Sequence, residues 1–91
     1  MNEAQARKVA SEFVELKSQE AGIELVLLDD ETMERGFGWV FFFDSKRHTE
    51  TQNFEDSVVG NAPFVVMRAD GSVRVTGTAH PIEYYLTAFG D

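Results

Sequence analysis

The sequence contains three groups of residues that could take part in catalysis or metal binding. They are two histidines, a run of carboxylates and one cluster of Ser, His and Asp. His48 and His80 are the only histidines, and neither lies in a ligand set such as H-x-x-x-H with a nearby carboxylate. The chain has no Cys, which excludes a disulfide, a thiolate nucleophile and Cys-ligated zinc. We therefore expect no metal and no cofactor.

The stretch of residues 44–48 contains Asp44, Ser45 and His48, the residue types of a hydrolase triad. Catalytic triads, however, are built from residues that converge in space from rigid elements, and no nucleophile-elbow pattern surrounds Ser45. No glycine-rich phosphate loop is present either. The sequence predicts a polar loop here and a protein that is not an enzyme.

Four carboxylates lie close together in residues 29–34, namely Asp29, Asp30, Glu31 and Glu34. Their spacing differs from the calcium loop D-x-[DN]-x-[DN]-G. Two interpretations stay open: a solvated acidic turn, or an electrostatic patch for a basic partner.

The charge balance narrows the class of partner. Sixteen acidic and eight basic residues give a net charge of −8, which repels nucleic-acid phosphates and anionic lipid surfaces and steers in a basic protein. Plain solubility is the alternative explanation. No secretory signal and no apolar stretch of about 20 residues is seen. We expect a single cytoplasmic domain, residues 1–91, that binds neither nucleic acid nor membrane.

The elements that position these residues follow from periodicity and turn signals. Ala6, Val9, Ala10, Phe13 and Leu16 form the apolar stripe of a predicted helix over residues 3–21, capped by Gly22. Strands are predicted at residues 23–28, 38–43, 64–68 and 73–76, with Asp70-Gly71 as a tight hairpin turn that pairs Arg68 with Val73. Residues 45–60 are predicted to be polar and irregular, apart from a helical turn around residues 54–58. Pro81 begins a short helix with a stripe of Ile82, Tyr85, Leu86 and Phe89.

Short connections between strands favour an antiparallel arrangement. The sequence thus predicts an α+β fold, a two-layer sandwich of order α-β-β-β-β-α, with an antiparallel four-stranded sheet and both helices on one face.

The run from Gly38 to Phe43 is apolar on both faces. Trp39, Phe41 and Phe43 share one face, predicted to be core, while Val40 and Phe42 share the other. A domain of 91 residues has a thin core. The predicted cover for Val40 and Phe42 is the loop of residues 45–60, a second copy of the chain, or another protein.

Three segments together resemble the bacterial YrhB-like family, also called the immunity protein 35 family. They are residues 38–43 with Ser45-Lys46-Arg47, then Gly60-Asn61-Ala62-Pro63, then residues 76–81 with Glu83, Tyr85 and Leu86. His48 departs from the pattern, where an aromatic residue is expected. Gly60, Asn61, Pro63, Gly77 and Pro81 are interpreted as framework residues, since turns and helix starts need their backbone preferences.

The resemblance implies an α+β, non-catalytic, antitoxin-like protein of a polymorphic toxin system that neutralises a toxin by direct noncovalent binding. The predicted partner surface is acidic and partly apolar: Asp29, Asp30, Glu31, Glu34, Val40, Phe42, Glu50, Glu55 and Asp56. The alternative that the resemblance allows is a small heat-stable chaperone-like protein, which would hold unfolded clients on the apolar sheet face. A monomer and a homodimer both stay open.

Overall fold

The computed structural model describes residues 1–51, 62–77 and 80–89. Within these ranges, three helices and six strands follow one another, with a 3₁₀ turn at Asp29–Glu31 between the first two strands. They are α1 (Glu3–Ala21), β1 (Leu25–Leu27), β2 (Met33–Arg35), β3 (Gly38–Phe41), β4 (Phe43–Ser45), α2 (Lys46–Thr51), β5 (Phe64–Met67), β6 (Val73–Val75) and α3 (Ile82–Thr87). The α+β class predicted from the sequence is confirmed.

Helix α1 has the predicted bounds because both of its ends are capped. Asn2 and Gln5 form a capping box, in which each side chain accepts a hydrogen bond from the other residue's backbone N–H. Gly22 adopts the left-handed conformation with φ 72° and donates its N–H to the carbonyl of Ser18 at 2.9 Å. The buried face differs in one respect from the prediction: Val14 is buried, whereas Leu16 is 59% exposed.

The strands form two antiparallel sheets where the sequence predicted one. Strands β2, β3, β5 and β6 form a four-stranded sheet in that order, and β1 pairs with β4 in a two-stranded sheet. The predicted strand of residues 38–43 is divided at Phe42: its first part pairs with β2 and β5, and the run then continues as β4 beside β1. The prediction missed β2, which is only three residues long and begins one residue after the acidic turn. It also missed α2, because residues from 45 onward were expected to be irregular.

The β5–β6 hairpin forms at the predicted turn with a register shifted by two residues. Val66, not Arg68, is opposite Val73, and Phe64 is opposite Val75. A shift of two keeps every side chain on its predicted face. In the turn, the Asp70 carboxylate accepts the backbone N–H of Ser72 at 2.9 Å, which holds the pKa of Asp70 below its ordinary value of 3.8.

One core lies between α1 and the sheets. Phe64 is its aromatic centre, with the rings of Phe13, Phe41 and Phe43 at centroid distances of 4.4, 5.8 and 6.0 Å. Buried residues of this core come from α1 and four strands: Ala6, Ala10, Val14, Leu25, Trp39, Phe41, Phe43, Phe64 and Val66. The predicted inner face of the 38–43 run is therefore confirmed.

A second core lies on the opposite face of the four-stranded sheet. It consists of Val40, Val65 and Leu86, with Ile82 and Phe89 packed around them. The prediction that both helices lie on one face is wrong, because α3 covers the face that α1 leaves open. The apolar stripe of α3 was predicted correctly, but the sheet face that it contacts depends on the path of the chain after β6.

At two positions, close packing leaves no room for a side chain larger than that of glycine. A Cβ at Gly38 would collide with the Val66 carbonyl on the neighbouring strand, so only glycine fits there. A Cβ at Gly77 would lie 2.6 Å from the Tyr85 hydroxyl. Pro81 lies immediately before α3, as predicted, and Gly60 and Asn61 lie outside the described residues.

Candidate functional site

The acidic turn of Asp29, Asp30 and Glu31 lies at the end of β1 and is exposed to solvent. Asp29 lies 3.6 Å from the Arg7 guanidinium of α1, a contact between two half-exposed side chains that contributes little stability. Asp30 and Glu31 extend from the 3₁₀ turn without such a contact among those described. The turn is thus exposed and negatively charged, which agrees with both the solvated turn and the electrostatic patch that the sequence left open.

An open groove of about 660 Å³ lies beside this turn, and we call it the turn groove. Its lining combines apolar residues of β1 and of the segment after it with four carboxylates, and α2 contributes Thr49. The lining residues are Val26, Leu27, Leu28, Asp29, Asp30, Glu31, Asp44 and Thr49. A lining that is partly apolar and partly acidic suits a side chain that has an aliphatic stem and a cationic head, such as Lys or Arg.

Asp44 is the buried carboxylate of this groove. It is 9% exposed, lies opposite Val26 in the β1–β4 pair, and accepts the backbone N–H of Ser45 at 2.7 Å. Ser45 itself is 3% exposed, so its environment is a packed strand and not the polar loop predicted from the sequence. The pairing of Ser45 with Leu25 was not predicted, because residues from 45 onward were expected to be irregular.

A second groove, of about 510 Å³, runs between α1 and β1, and we call it the helix groove. A polar stripe on α1 forms one wall, made of Arg7, Ser11, Glu15 and Ser18. The other wall is the outer edge of β1, with Leu25 and Leu27, and Glu24 and Asp29 lie at its two ends. The spacing of the polar stripe, with successive residues three or four apart, was the available sequence signal for this wall.

The hydrogen bonds of β1 show which of its backbone groups face the helix groove. Leu28 donates to the carbonyl of Phe42 at 2.8 Å, and Lys46 donates to the carbonyl of Glu24 at 3.0 Å. Residues 24, 26 and 28 therefore bond toward β4, and residues 25 and 27 direct their N–H and C=O groups away from it. The Leu25 N–H confirms this direction, since it donates to Ser18 Oγ at 2.8 Å.

Glu34 lies apart from the other acidic candidates, on β2. Its carboxylate accepts a hydrogen bond from Arg68 at 3.0 Å, and the guanidinium carbon of Arg68 lies 4.3 Å from the centre of the Trp39 ring. Arg68 also donates to the carbonyls of Arg35 and Gly36, at 3.0 and 3.3 Å. This arrangement ties the β2–β3 turn to β5, so Glu34 has a structural partner within the chain.

Val40 does not lie on the surface. It is 0% exposed beneath α3, and Phe42 is half-buried at the margin of the same core. The predicted cover by residues 45–60 is replaced by α3 for Val40. The sheet face on which a chaperone-like protein would hold clients is accordingly occupied by the protein's own helix.

The remaining acidic candidates lie on and after α2. Glu50 is exposed on α2, the helix whose Thr49 lines the turn groove. Glu55 and Asp56 lie outside the described residues, as does the predicted helical turn at residues 54–58. The structure therefore brings Asp29, Asp30 and Glu31 together, with Glu50 on an adjoining element.

Among residues 1–51, 62–77 and 80–89, no three His, Cys, Asp or Glu side chains are placed to hold a metal ion. In the same part of the chain, no helix has the length and apolarity to cross a membrane.

The described residues thus form a small α+β domain in which two open grooves lie beside acidic residues. The chain belongs to the immunity protein 35 family: its sequence matches the family described as Immunity protein 35 over residues 4–88. It is also 39% identical over 49 residues to the Escherichia coli K12 protein described as Uncharacterized protein YrhB. That similarity covers 54% of this chain and 52% of the relative. No solved structure was found to match.

Proposed function

We propose that this chain is an immunity protein that neutralises a cognate toxin in the cytoplasm by direct, noncovalent binding and without catalysis. The family match over residues 4–88 is the observation that carries the proposal. The toxin is a protein with a basic surface at its point of contact, because the chain carries a net charge of −8.

The proposed contact surface is the acidic end of the molecule. Asp29, Asp30 and Glu31 rim the turn groove, and Glu50 extends the negative surface along α2. Charges at the rim of an interface act mainly on the rate of encounter, whereas buried apolar contacts slow release. Phe42 is the half-buried aromatic residue that we assign to the apolar part, and Glu55 and Asp56 stay in the proposal from the sequence alone.

Co-expression with the toxin domain encoded by the adjacent gene tests the function. We expect the cells to survive and the two proteins to elute together from a gel-filtration column. Survival without a complex would contradict direct occlusion, and death despite soluble expression of both proteins would contradict the immunity function. The free protein run on the same column distinguishes a monomer from a homodimer.

Two charge-reversal variants test the location of the toxin-binding surface. We expect Glu31→Lys to reduce the association rate by several-fold at low salt, an effect that shrinks as the salt concentration rises. The matched control is Glu83→Lys, an exposed Glu on α3 at the opposite face of the sheet. Equal losses in the two variants would show that only net charge matters and would contradict this surface.

A further inference from the structure

The outer edge of β1 is an unpaired strand edge in the described part of the chain. Within the residues that the structure describes, β1 pairs only with β4, so its second edge has no strand beside it. The Leu25 N–H is already bonded to Ser18 Oγ, which leaves the N–H of Leu27 as the edge's donor and the carbonyls of Leu25 and Leu27 as its acceptors.

The residues of β1 set this edge apart from the other described edges. Native proteins protect exposed edges with charged side chains, proline or bulges. The outer strands β2, β4 and β6 each contain a charged residue, Glu34 and Arg35 in β2, Asp44 in β4 and Arg74 in β6. β1 has the sequence Leu-Val-Leu and no such protection within the strand.

The surroundings of the edge are negatively charged. The two grooves that flank β1 are lined by six carboxylates, those of Glu15, Glu24, Asp29, Asp30, Glu31 and Asp44, and by a single basic residue, Arg7. Arg7 lies 3.9 Å from Glu3 and 3.6 Å from Asp29, and Lys46 lies 3.7 Å from Glu24, so the charges of both cations are already opposed. Glu15, Asp30 and Glu31 are exposed carboxylates of the two grooves that add negative charge beyond these pairs. A second copy of this chain would bring the same negative charge to the edge and be repelled.

We propose that the edge of β1 binds an extended, positively charged segment of the toxin as an added strand. The proposal rests on the immunity function above. A strand hydrogen-bonded to β1 lies about 4.8 Å from it, on the side of the helix groove. Alternate side chains of that segment then face the two grooves, where Lys or Arg side chains meet the acidic margin.

Hydrogen exchange on the wild-type complex tests the pairing directly. We expect the backbone amide of Leu27 to exchange at least about tenfold more slowly in the complex than in the free protein, because it gains a hydrogen-bond acceptor. The outward-facing amide of Val75 on the edge of β6 is the internal control and keeps its free rate. A complex that leaves the Leu27 amide unprotected overturns the proposal while the immunity function stands.

Three variants distinguish the contribution of the backbone N–H to toxin binding from that of the side chain. Leu27→Pro removes the outward N–H, and an edge strand tolerates a proline at such a position. Leu27→Ala also removes most of the leucine side chain but keeps the N–H. We expect Leu27→Pro to weaken toxin binding by about tenfold more than Leu27→Ala, since a carbonyl of the toxin loses its donor. Val75→Pro makes the same backbone change on the edge of β6 and leaves the affinity within about twofold.

Equal dissociation constants for Leu27→Pro and Leu27→Ala would overturn the proposal, as would a homodimer of the free protein that protects the Leu27 amide. Circular dichroism of each variant establishes that it is folded. The exchange measurement on the wild type needs no variant, so it decides the matter even where Leu27→Pro unfolds. If no complex forms with the toxin domain at all, the proposed function fails first, which distinguishes the two failures.

Discussion

The cover that α3 gives to the second core can be tested at Leu86. This side chain is 1% exposed and packs against Val40 and Val65 across the sheet. Truncation of a buried Leu to Ala costs about 2 to 5 kcal/mol, and the lower values occur where the surroundings can collapse into the cavity. Because α3 has only six residues and can shift toward the cavity, we expect a loss of about 2 to 3 kcal/mol.

For a domain of this size, a loss of 2 kcal/mol lowers the melting temperature by at least about 8 °C. Circular dichroism at 222 nm during heating measures that change, and urea unfolding followed by Trp39 fluorescence gives the free energy independently. The matched control is Leu16→Ala, which removes the same atoms from a helical position that is 59% exposed and should cost less than about 0.5 kcal/mol. A Leu86→Ala variant as stable as the Leu16→Ala variant would refute the placement of α3 on this face.

Three further predictions concern the backbone, a stacked cation and a turn. Gly38→Ala should destabilise the protein by about 1 to 3 kcal/mol in urea unfolding, because the added Cβ overlaps the neighbouring strand, whereas Gly36→Ala meets nothing within 4 Å and should be nearly neutral; equal costs would contradict this. Arg68→Lys keeps the charge but loses the planar stack on Trp39, so we expect a loss of about 1 kcal/mol and an altered Trp39 emission spectrum, and an unchanged spectrum would count against the stack. The pKa of Asp70 is lowered in the folded state, so its contribution to stability is present above about pH 4 and is lost as the pH falls through the folded pKa. The difference in melting temperature between wild type and Asp70→Ala should therefore shrink below about pH 4. A constant difference would refute the assignment.

The parts of the fold that were predicted correctly depend on local signals. Helix α1 follows from a 3.6-residue period with a cap at each end, and the β5–β6 hairpin follows from Asp70-Gly71. The inner face of residues 38–43 also follows from alternation alone. These features need no knowledge of distant parts of the chain.

The errors concern pairings between distant residues. Strand β2 is three residues long, too short for a period of two to be recognised, yet it pairs with β3, while β1 pairs with β4. The apolar stripe of α3 indicates that the helix is buried on one side, but no local sequence pattern indicates which face of the sheet the helix covers. The cover of Val40 was therefore predicted to be the loop, a second copy or a partner, whereas α3 provides it.

The candidate site was predicted in part for the same reason. The acidic character of residues 29–31 is visible in the sequence, and the exposed turn follows from it. The helix groove requires knowing that α1 runs beside β1, with Arg7 near Asp29 and Ser18 near Leu25. Periodicity gives the polar stripe on α1 but not the strand that it faces.

The division of the 38–43 run at Phe42 has a consequence for the thermodynamics of recognition. β4 follows β3 after a single residue and no loop, so the strand that holds β1 is a direct extension of the most deeply buried strand of the protein. The edge of β1 is therefore ordered by the core before any partner arrives. Binding at a preorganised edge loses little conformational entropy, so even the short strand of Leu25–Leu27 can contribute most of its hydrogen-bond energy to affinity.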